Sequence, residues 1–219
     1  MSDSSSAPLP RIAILGAGKV GSSLARALVS AGYHVSIAGS GSVEKIALTA
    51  EILMPGATPT TASEAVKDAD VVILAVPMHK FHTIDRDGLR NKIVIDTMNH
   101  WVPVNGEMEE LDSDPRSTSE IVAEFFSDAQ VVKSLNHIGY HEMEEDAHMG
   151  RAIAYATDDH QAGEVVAQII EHIGFAPLSI GKLSHGRVLE PGQKAFGAWL
   201  DANFDFESAG LPAASMRVN

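Results

Sequence analysis

The sequence predicts an α/β protein built on a doubly wound parallel sheet, followed by a smaller α/β lobe. Short apolar runs alternate along the chain with segments of helical periodicity, which is the order expected for βαβ units. The runs at residues 71–76 and 92–95 do not alternate with polar residues, as is typical of parallel strands that helices cover on both faces. A glycine-rich turn joins the first run to the first helix.

The first βαβ unit is expected at residues 11–38. The run from Arg11 ends in glycines, and apolar side chains then repeat at helical spacing until Gly32. Residues 33–38 alternate like a second strand. The further elements expected in the first domain are helices at 43–53, 63–67 and 117–126 and strands at 71–76, 92–95 and 130–133.

The pattern continues at lower density in the second half of the chain. A strand at 152–156, a helix at 160–172 and a strand at 177–180 predict the small C-terminal lobe. Neither the first nor the last residues show a clear period. The expected division is a flexible N-terminus at 1–10, a first domain at 11–134, a C-terminal lobe at 135–205 and a tail at 206–219.

Charge and composition narrow the possible partners. The chain has a formal net charge of −13 at pH 7 and no cysteine. Because such an acidic surface repels polyanions, we expect neither nucleic acid nor an anionic membrane as a partner. The lack of cysteine excludes disulfides, thiolate metal sites and thiol nucleophiles. With no apolar run long enough to span a bilayer and no signal peptide, a cytoplasmic location is expected.

A GxGxxG motif follows the first predicted strand and opens the first predicted helix. In dinucleotide-binding Rossmann domains the first glycine makes a tight turn, the second lets the pyrophosphate approach and the third allows close helix packing. The free N–H groups of the helix bind the phosphates. The motif therefore predicts a dinucleotide cofactor, with contacts expected from Gly16, Ala17, Gly18, Lys19, Val20 and Gly21.

The end of the second strand favours NADP over NAD. NAD-specific domains place an Asp or Glu there to bind the ribose 2′-hydroxyl, whereas this chain has Ala38 and then a loop without acid. The loop and the next helix supply hydroxyl donors and a cation that suit a 2′-phosphate. The expected contacts are Gly39, Ser40, Gly41, Ser42 and Lys45. The alternative is that these are solvated residues, with Lys45 on the outer face of its helix.

Several segments, taken in order, make the chain resemble the coenzyme F420:NADP oxidoreductase family. They lie between residues 11 and 191 and read LGAGKVGSSLARALVSAGYHV, AGSGSVEKI, DADVVILAVP, NKIVIDTMN, DAQVVKSLN and GFAPLSIGKLSHGRVLEP. The resemblance implies a homodimer that transfers hydride between NADPH and coenzyme F420 or a flavin-like acceptor. The family typically has Gly-Ser-Arg after the second strand, and Gly41 stands here in place of the arginine. Ser40 and Lys45, with Ser42, are then left to hold the 2′-phosphate.

The resemblance also implies where the nicotinamide ring and the ring of the hydride acceptor lie. Asn136 and His137 are expected to position the acceptor, and Ile138 to contact the cofactor. Family members often have a small residue in place of His137, and residues 78–82 and 99–101 add bulk near the cleft, which leaves another acceptor open. The nicotinamide is expected beside Val76, Pro77, Met78, Thr97, Met98 and Asn99.

Two other functions are compatible with the sequence. A carbonyl or imine reductase would need a proton donor, for which His137, Tyr140 and His141 are the candidates. Such families usually append a long helical domain, and the region after Ser134 is too short for one. A module that binds NADPH without turnover is the second alternative. No metal site is expected, because the ten histidines form no zinc signature such as HExxH.

Overall fold

One sheet forms the centre of the computed structural model, which describes residues 8–201 and 203–211. Its strands are β1 (Ile12–Leu15), β2 (Val35–Ala38), β3 (Thr58–Pro59), β4 (Val71–Leu74), β5 (Ile93–Asp96), β6 (Gln130–Ser134), β7 (Ala152–Thr157) and β8 (Ala176–Ser179). Within the described range these eight strands are ordered β3-β2-β1-β4-β5-β6-β7-β8. Strand β7 is antiparallel to β6, and the other neighbouring pairs are parallel. The predicted doubly wound sheet is confirmed.

The predicted helices are present, and several short ones join them. The α-helices are α1 (Lys19–Ser30), α2 (Val43–Leu53), α3 (Ala62–Lys67), α4 (Val102–Asn105), α5 (Glu109–Asp112), α6 (Thr118–Phe125), α7 (Glu142–Glu145) and α8 (His160–His172). The 3₁₀ helices are Met78–Thr83, Asp87–Leu89 and Leu183–Leu189. Helices α3 and α6 begin with capping boxes, in which a Thr or Ser side chain and a Glu three residues later satisfy each other's backbone amides.

Helices pack on both faces of the sheet, which explains the unbroken apolar strands. Strands β1 and β4 are buried along their whole length. One core cluster joins the sheet to Leu24 of α1 and Ile169 of α8, and the other joins it to Val66 of α3 and Val122 of α6. Burying both faces of the strands is the main apolar contribution to stability.

The C-terminal strands extend the first sheet. Strand β7 pairs with β6, and β8 pairs with β7, so the predicted strand-helix-strand order is confirmed while its strands share the Rossmann sheet. Part of the predicted tail is packed, because Phe206 and Leu211 are buried against β7 and β8. Residues 1–7 of the predicted N-terminus, residue 202 and residues 212–219 of the predicted tail lie outside the described range. In the part of the chain that the structure describes, no helix meets the length and apolarity required to cross a membrane.

Candidate functional site

The turn after β1 can only be made by glycine. Gly16 has φ of +121°, and a β-carbon on it would lie 2.2 Å from the carbonyl oxygen of Ala75. A β-carbon on Gly21 would lie 1.8 Å from the carbonyl oxygen of Gly16. The Gly16 amide donates to the Ala38 carbonyl oxygen at 2.8 Å, which ties the turn to the end of β2. The first and third glycines therefore permit the close packing that the motif requires.

Gly18 differs from the other two glycines because the space beside it is open. It is exposed at the N-cap of α1, and a β-carbon on it would meet no described atom within 4 Å. The first amides of a helix have no partner within the helix, so this space is bounded by free N–H donors. A pyrophosphate fits this arrangement, because its oxygens accept from those donors in the space that a side chain would fill.

The loop after β2 presents a cation that comes from α2. Ser40, Gly41 and Ser42 are exposed. Gly41 has φ of +111°, and the ammonium nitrogen of Lys45 lies 3.3 Å from the position of a β-carbon on residue 41. A hydrogen bond from the Ser42 hydroxyl lowers the pKa of the Glu44 carboxyl, with a smaller contribution from the Glu44 backbone amide. The loop thus holds both a cation and a nearby carboxylate.

Two asparagines join the end of β5 to the segment after β6. The Asn136 side-chain amide donates to Asn99 Oδ1 at 2.9 Å and to the Leu189 carbonyl oxygen at 2.7 Å. The Asn99 side-chain amide donates in return to the Asn136 carbonyl oxygen at 2.8 Å. Further along, the Ser23 hydroxyl donates to the Tyr140 carbonyl oxygen at 2.7 Å. Residues 136–140 therefore run from the end of β5 to the first turns of α1.

The same segment approaches the predicted phosphate site. The Lys19 ammonium group lies 5.2 Å from the centre of the Tyr140 ring, within the range of a cation–π contact. Tyr140 in turn packs against His141, with 4.1 Å between the ring centres. The motif residues Ala17 and Val20 are half-buried. The glycine loop and the 136–140 segment, which are distant in sequence, are thus neighbours in the fold.

The residues predicted to contact nicotinamide differ in exposure. Pro77 is exposed, and Val76 and Asn99 are half-buried, so their side chains reach the surface at the ends of β4 and β5. The other predicted side chains point inward. Met78 and Met98 are buried in one core cluster, and Ile138 is buried in the other. The Thr97 hydroxyl donates to the Leu74 carbonyl oxygen at 2.8 Å. A cofactor would meet their backbone rather than their side chains.

A buried ion pair that the sequence analysis missed holds this region. Lys133 and Asp96 are completely buried, with 3.4 Å between Nζ and Oδ2. The Lys133 ammonium group also donates to the Met98 carbonyl oxygen at 2.6 Å, and the Met98 amide donates to Asp96 Oδ1 at 2.9 Å. The Ser119 hydroxyl donates to Asp96 Oδ2 at 2.5 Å. These bonds compensate the desolvated charges and fix the loop after β5.

His137 does not line a cleft as the sequence analysis expected. Its side chain is buried, and Nε2 accepts from the Ala154 amide at 3.2 Å. Burial, aided by the nearby positive charges of Arg151 and Lys133, lowers the pKa of His137 to about 3. The ring is therefore neutral at physiological pH, and its burial keeps it from contact with a substrate. Among the described residues, His, Asp and Glu form no group of three or more that could hold a metal ion.

A cavity of about 370 Å³ lies beside Asn99, between residues 100–118 and 187–193. Its lining includes His100, Trp101, Asp112, Arg187, Glu190 and Gln193. The Glu190 carboxylate accepts from the amide and the hydroxyl of Thr118 at 2.7 and 3.0 Å. Burial raises the pKa of Glu190, although Lys133 and the Thr118 bonds oppose the rise. The cavity thus combines an aromatic side chain with charged and polar groups.

The fold and the glycine loop together define a dinucleotide-binding protein of the Rossmann class. Residues 11–100 match the family model described as "NADP oxidoreductase coenzyme F420-dependent". The resemblance noted in the sequence is confirmed.

Comparisons over a longer range agree with that class. The chain is 31% identical over 184 residues to the Metalloreductase STEAP3 of Rattus norvegicus, covering 83% of this chain and 36% of the relative. It thus spans about a third of the length of the curated relatives it matches. A solved hypothetical protein from Sinorhizobium meliloti has a TM-score of 0.78 and 27% identity, with 89% of this chain and 97% of that chain covered.

A solved protein from an Arthrobacter species, provisionally described as an F420-dependent NADP reductase, has a TM-score of 0.70. It is 22% identical, and the alignment covers 81% of this chain and 87% of that one. At this identity the likeness establishes the shared fold.

Proposed function

We propose that this chain binds NADPH and passes its hydride to a flavin or deazaflavin ring. The open space at Gly18 carries the proposal, because it lies at the free amides of α1 where a pyrophosphate would bind. The Lys45 ammonium group at the end of β2, where NAD-specific domains carry an acid, supports NADPH as the dinucleotide.

In this proposal the protein acts mainly by placing the two reactants. NADPH, when bound, supplies the hydride, and the acceptor ring takes it up without a protein nucleophile. The glycine loop would hold the pyrophosphate, and the Asn99 and Asn136 pair would fix the backbone beside the nicotinamide. The Lys133 and Asp96 pair would keep that loop in one position. Holding the reactants in a near-attack arrangement supplies most of the acceleration in such reactions.

The structure does not favour the carbonyl or imine reductase alternative. That chemistry needs a proton donor near the substrate, and His137 is buried and neutral. Tyr140 and His141 pack beside the first turns of α1, near the predicted phosphate site. The name of the curated relatives, metalloreductase, adds ferric chelates to the acceptors worth testing.

The test is NADPH oxidation, followed by its absorbance, with coenzyme F420, FMN, FAD, quinones and ferric chelates supplied separately. Oxidation that depends on a flavin or deazaflavin supports the proposal. NADPH binding without oxidation in the presence of any of them would instead support the sensing module. Activity only with carbonyl or imine substrates would support the reductase alternative. The homodimer and the cytoplasmic location remain predictions, which chromatography with light scattering and cell fractionation can check.

A further inference from the structure

The cavity beside Asn99 is unusual because one of the side chains that line it is a tryptophan, and half of that tryptophan's surface is exposed. Trp101 is 52% exposed although it is the largest apolar side chain type. Its position is nevertheless defined: it is the N-cap of α4, and its amide donates to Asn105 Oδ1 at 2.9 Å. The cavity of about 370 Å³ is within the usual size range of small-molecule sites.

The other walls carry hydrogen-bonding groups. His100 is bonded through Nε2 to Asp112 Oδ1 at 2.8 Å, and its side chain is 10% exposed. Among the described residues its Nδ1 is buried and has no partner. Across the cavity, the described hydrogen bonds of the Glu190 carboxylate involve only Oε1. An aromatic face next to polar edges suits a flat heteroaromatic ring that carries its own donors and acceptors.

The cavity also lies where an acceptor of hydride is needed. His100 directly follows Asn99, and Glu190 directly follows Leu189, whose carbonyl oxygen accepts from the Asn136 amide. The cavity therefore adjoins the asparagine pair at the ends of β5 and β6. Ligands of open α/β sheets bind outside the carboxyl ends of the strands, which is the end of the sheet where this cavity lies.

We propose that Trp101 is the platform on which the flat heteroaromatic ring of the hydride acceptor stacks, within the cavity that His100 and Glu190 complete. This inference rests on the proposed function and assigns the acceptor to a particular site. Trp101 acts by stacking, so it positions the ring and takes no part in the hydride transfer itself.

The chain provides its own optical test, because it has two tryptophans and both are about half exposed. In a Trp199→Phe variant the fluorescence comes from Trp101, and in a Trp101→Phe variant it comes from Trp199. FMN and coenzyme F420 are titrated into each variant. We expect saturable quenching that is much deeper in Trp199→Phe than in Trp101→Phe, because Trp101 contacts the bound ring whereas Trp199 is quenched only by energy transfer over a longer distance. Saturable quenching confined to Trp199, or no saturable quenching of Trp101 by either probe, would overturn the inference.

Kinetics provide a second readout that a merely structural role would not reproduce. Trp101→Ala should raise the KM for the ring acceptor by about tenfold, whereas Trp101→Phe, which retains a stacking face, should change it little. The affinity for NADPH should be unchanged in both variants. An unaltered acceptor KM in Trp101→Ala, with NADPH oxidation intact, would overturn the placement of the ring while leaving the proposed function standing. Failure of the unaltered protein to oxidise NADPH with any acceptor would instead reject the proposed function.

Discussion

The ammonium group of Lys45 lies over Gly41, with its nitrogen 3.3 Å from the point where a β-carbon on that residue would stand. The family that the chain resembles places an arginine at residue 41, and here the positive φ of Gly41 favours glycine. The cation of this loop therefore comes from the first turn of α2 rather than from the loop itself. The space above Gly41 is available to Lys45 because residue 41 has no side chain.

Replacing Lys45 by Ala should weaken NADPH binding about tenfold and leave NADH binding nearly unchanged. The reason is that a hydrogen bond to a charged group contributes about 1.5 kcal/mol at the lower end of its range, and only NADPH carries the 2′-phosphate. Calorimetric titration with both dinucleotides measures the effect. Lys67→Ala, an exposed lysine at the end of α3, is the control and should change neither affinity. Equal losses for both dinucleotides would place Lys45 outside the 2′-phosphate site.

Replacing Glu44 by Gln should strengthen NADPH binding by about threefold at low salt. Its carboxylate is bonded to the Ser42 hydroxyl, so it would stand close to a 2′-phosphate held by this loop and repel it. Because Glu44 is exposed, the gain should shrink as ionic strength rises. The measurement is the ratio of NADPH to NADH affinity at low and high salt. A gain for both dinucleotides alike would argue against a contact with the 2′-phosphate.

Substitutions at two glycines of the motif should separate an effect on dinucleotide binding from an effect on protein stability. Gly18→Val should fold normally and lose affinity for both dinucleotides, because the open space beside Gly18 receives a side chain only at the expense of the pyrophosphate. Gly21→Ala should destabilise the protein, since its β-carbon would overlap the Gly16 carbonyl oxygen. Thermal unfolding and calorimetric titration distinguish the two effects. A folded Gly18→Val variant that still binds NADPH would show that the phosphates lie elsewhere.

Much of the fold could be predicted because the local spacing of apolar residues and the capping residues decide where the helices lie. The helices at 43–53 and 160–172 have the predicted bounds, since apolar spacing and capping residues mark both of them. Strand β3 was missed because it has two residues and one is Pro59, which gives no apolar period. The local sequence pattern also could not show which strand β7 pairs with, because the pairing with β6 depends on another part of the chain.

The part of the site that a sequence motif marks could be predicted. The part that depends on which side chains are buried could not. The glycine loop could be found because its spacing follows a strand and opens a helix. The Lys133 and Asp96 pair depends on the register between β5 and β6, although a lysine inside an apolar strand is a signal that could have suggested it. His137 was expected beside the acceptor because sequence does not show that the strand containing Ala154 covers it.

The buried state of His137 predicts how the protein responds to acid. Its pKa is about 3 in the folded chain and near 6.5 when exposed, so between these values the unfolded chain binds a proton that the folded chain does not. The free energy of unfolding should therefore be fully retained above pH 6.5 and fall below it, by about 1.4 kcal/mol for each pH unit toward 3.

A His137→Gln variant keeps an acceptor for the Ala154 amide but has no such proton to bind. Urea unfolding from pH 7 to 4 should show the unaltered protein losing stability relative to this variant as the pH falls. His160→Gln, which changes an exposed histidine on α8, is the control substitution. If the difference between the unaltered protein and His137→Gln stays constant across this range, the imidazole is not held neutral by burial. In that case the argument against His137 as a proton donor would fail, because a ring that can take up a proton near pH 6 could also deliver one.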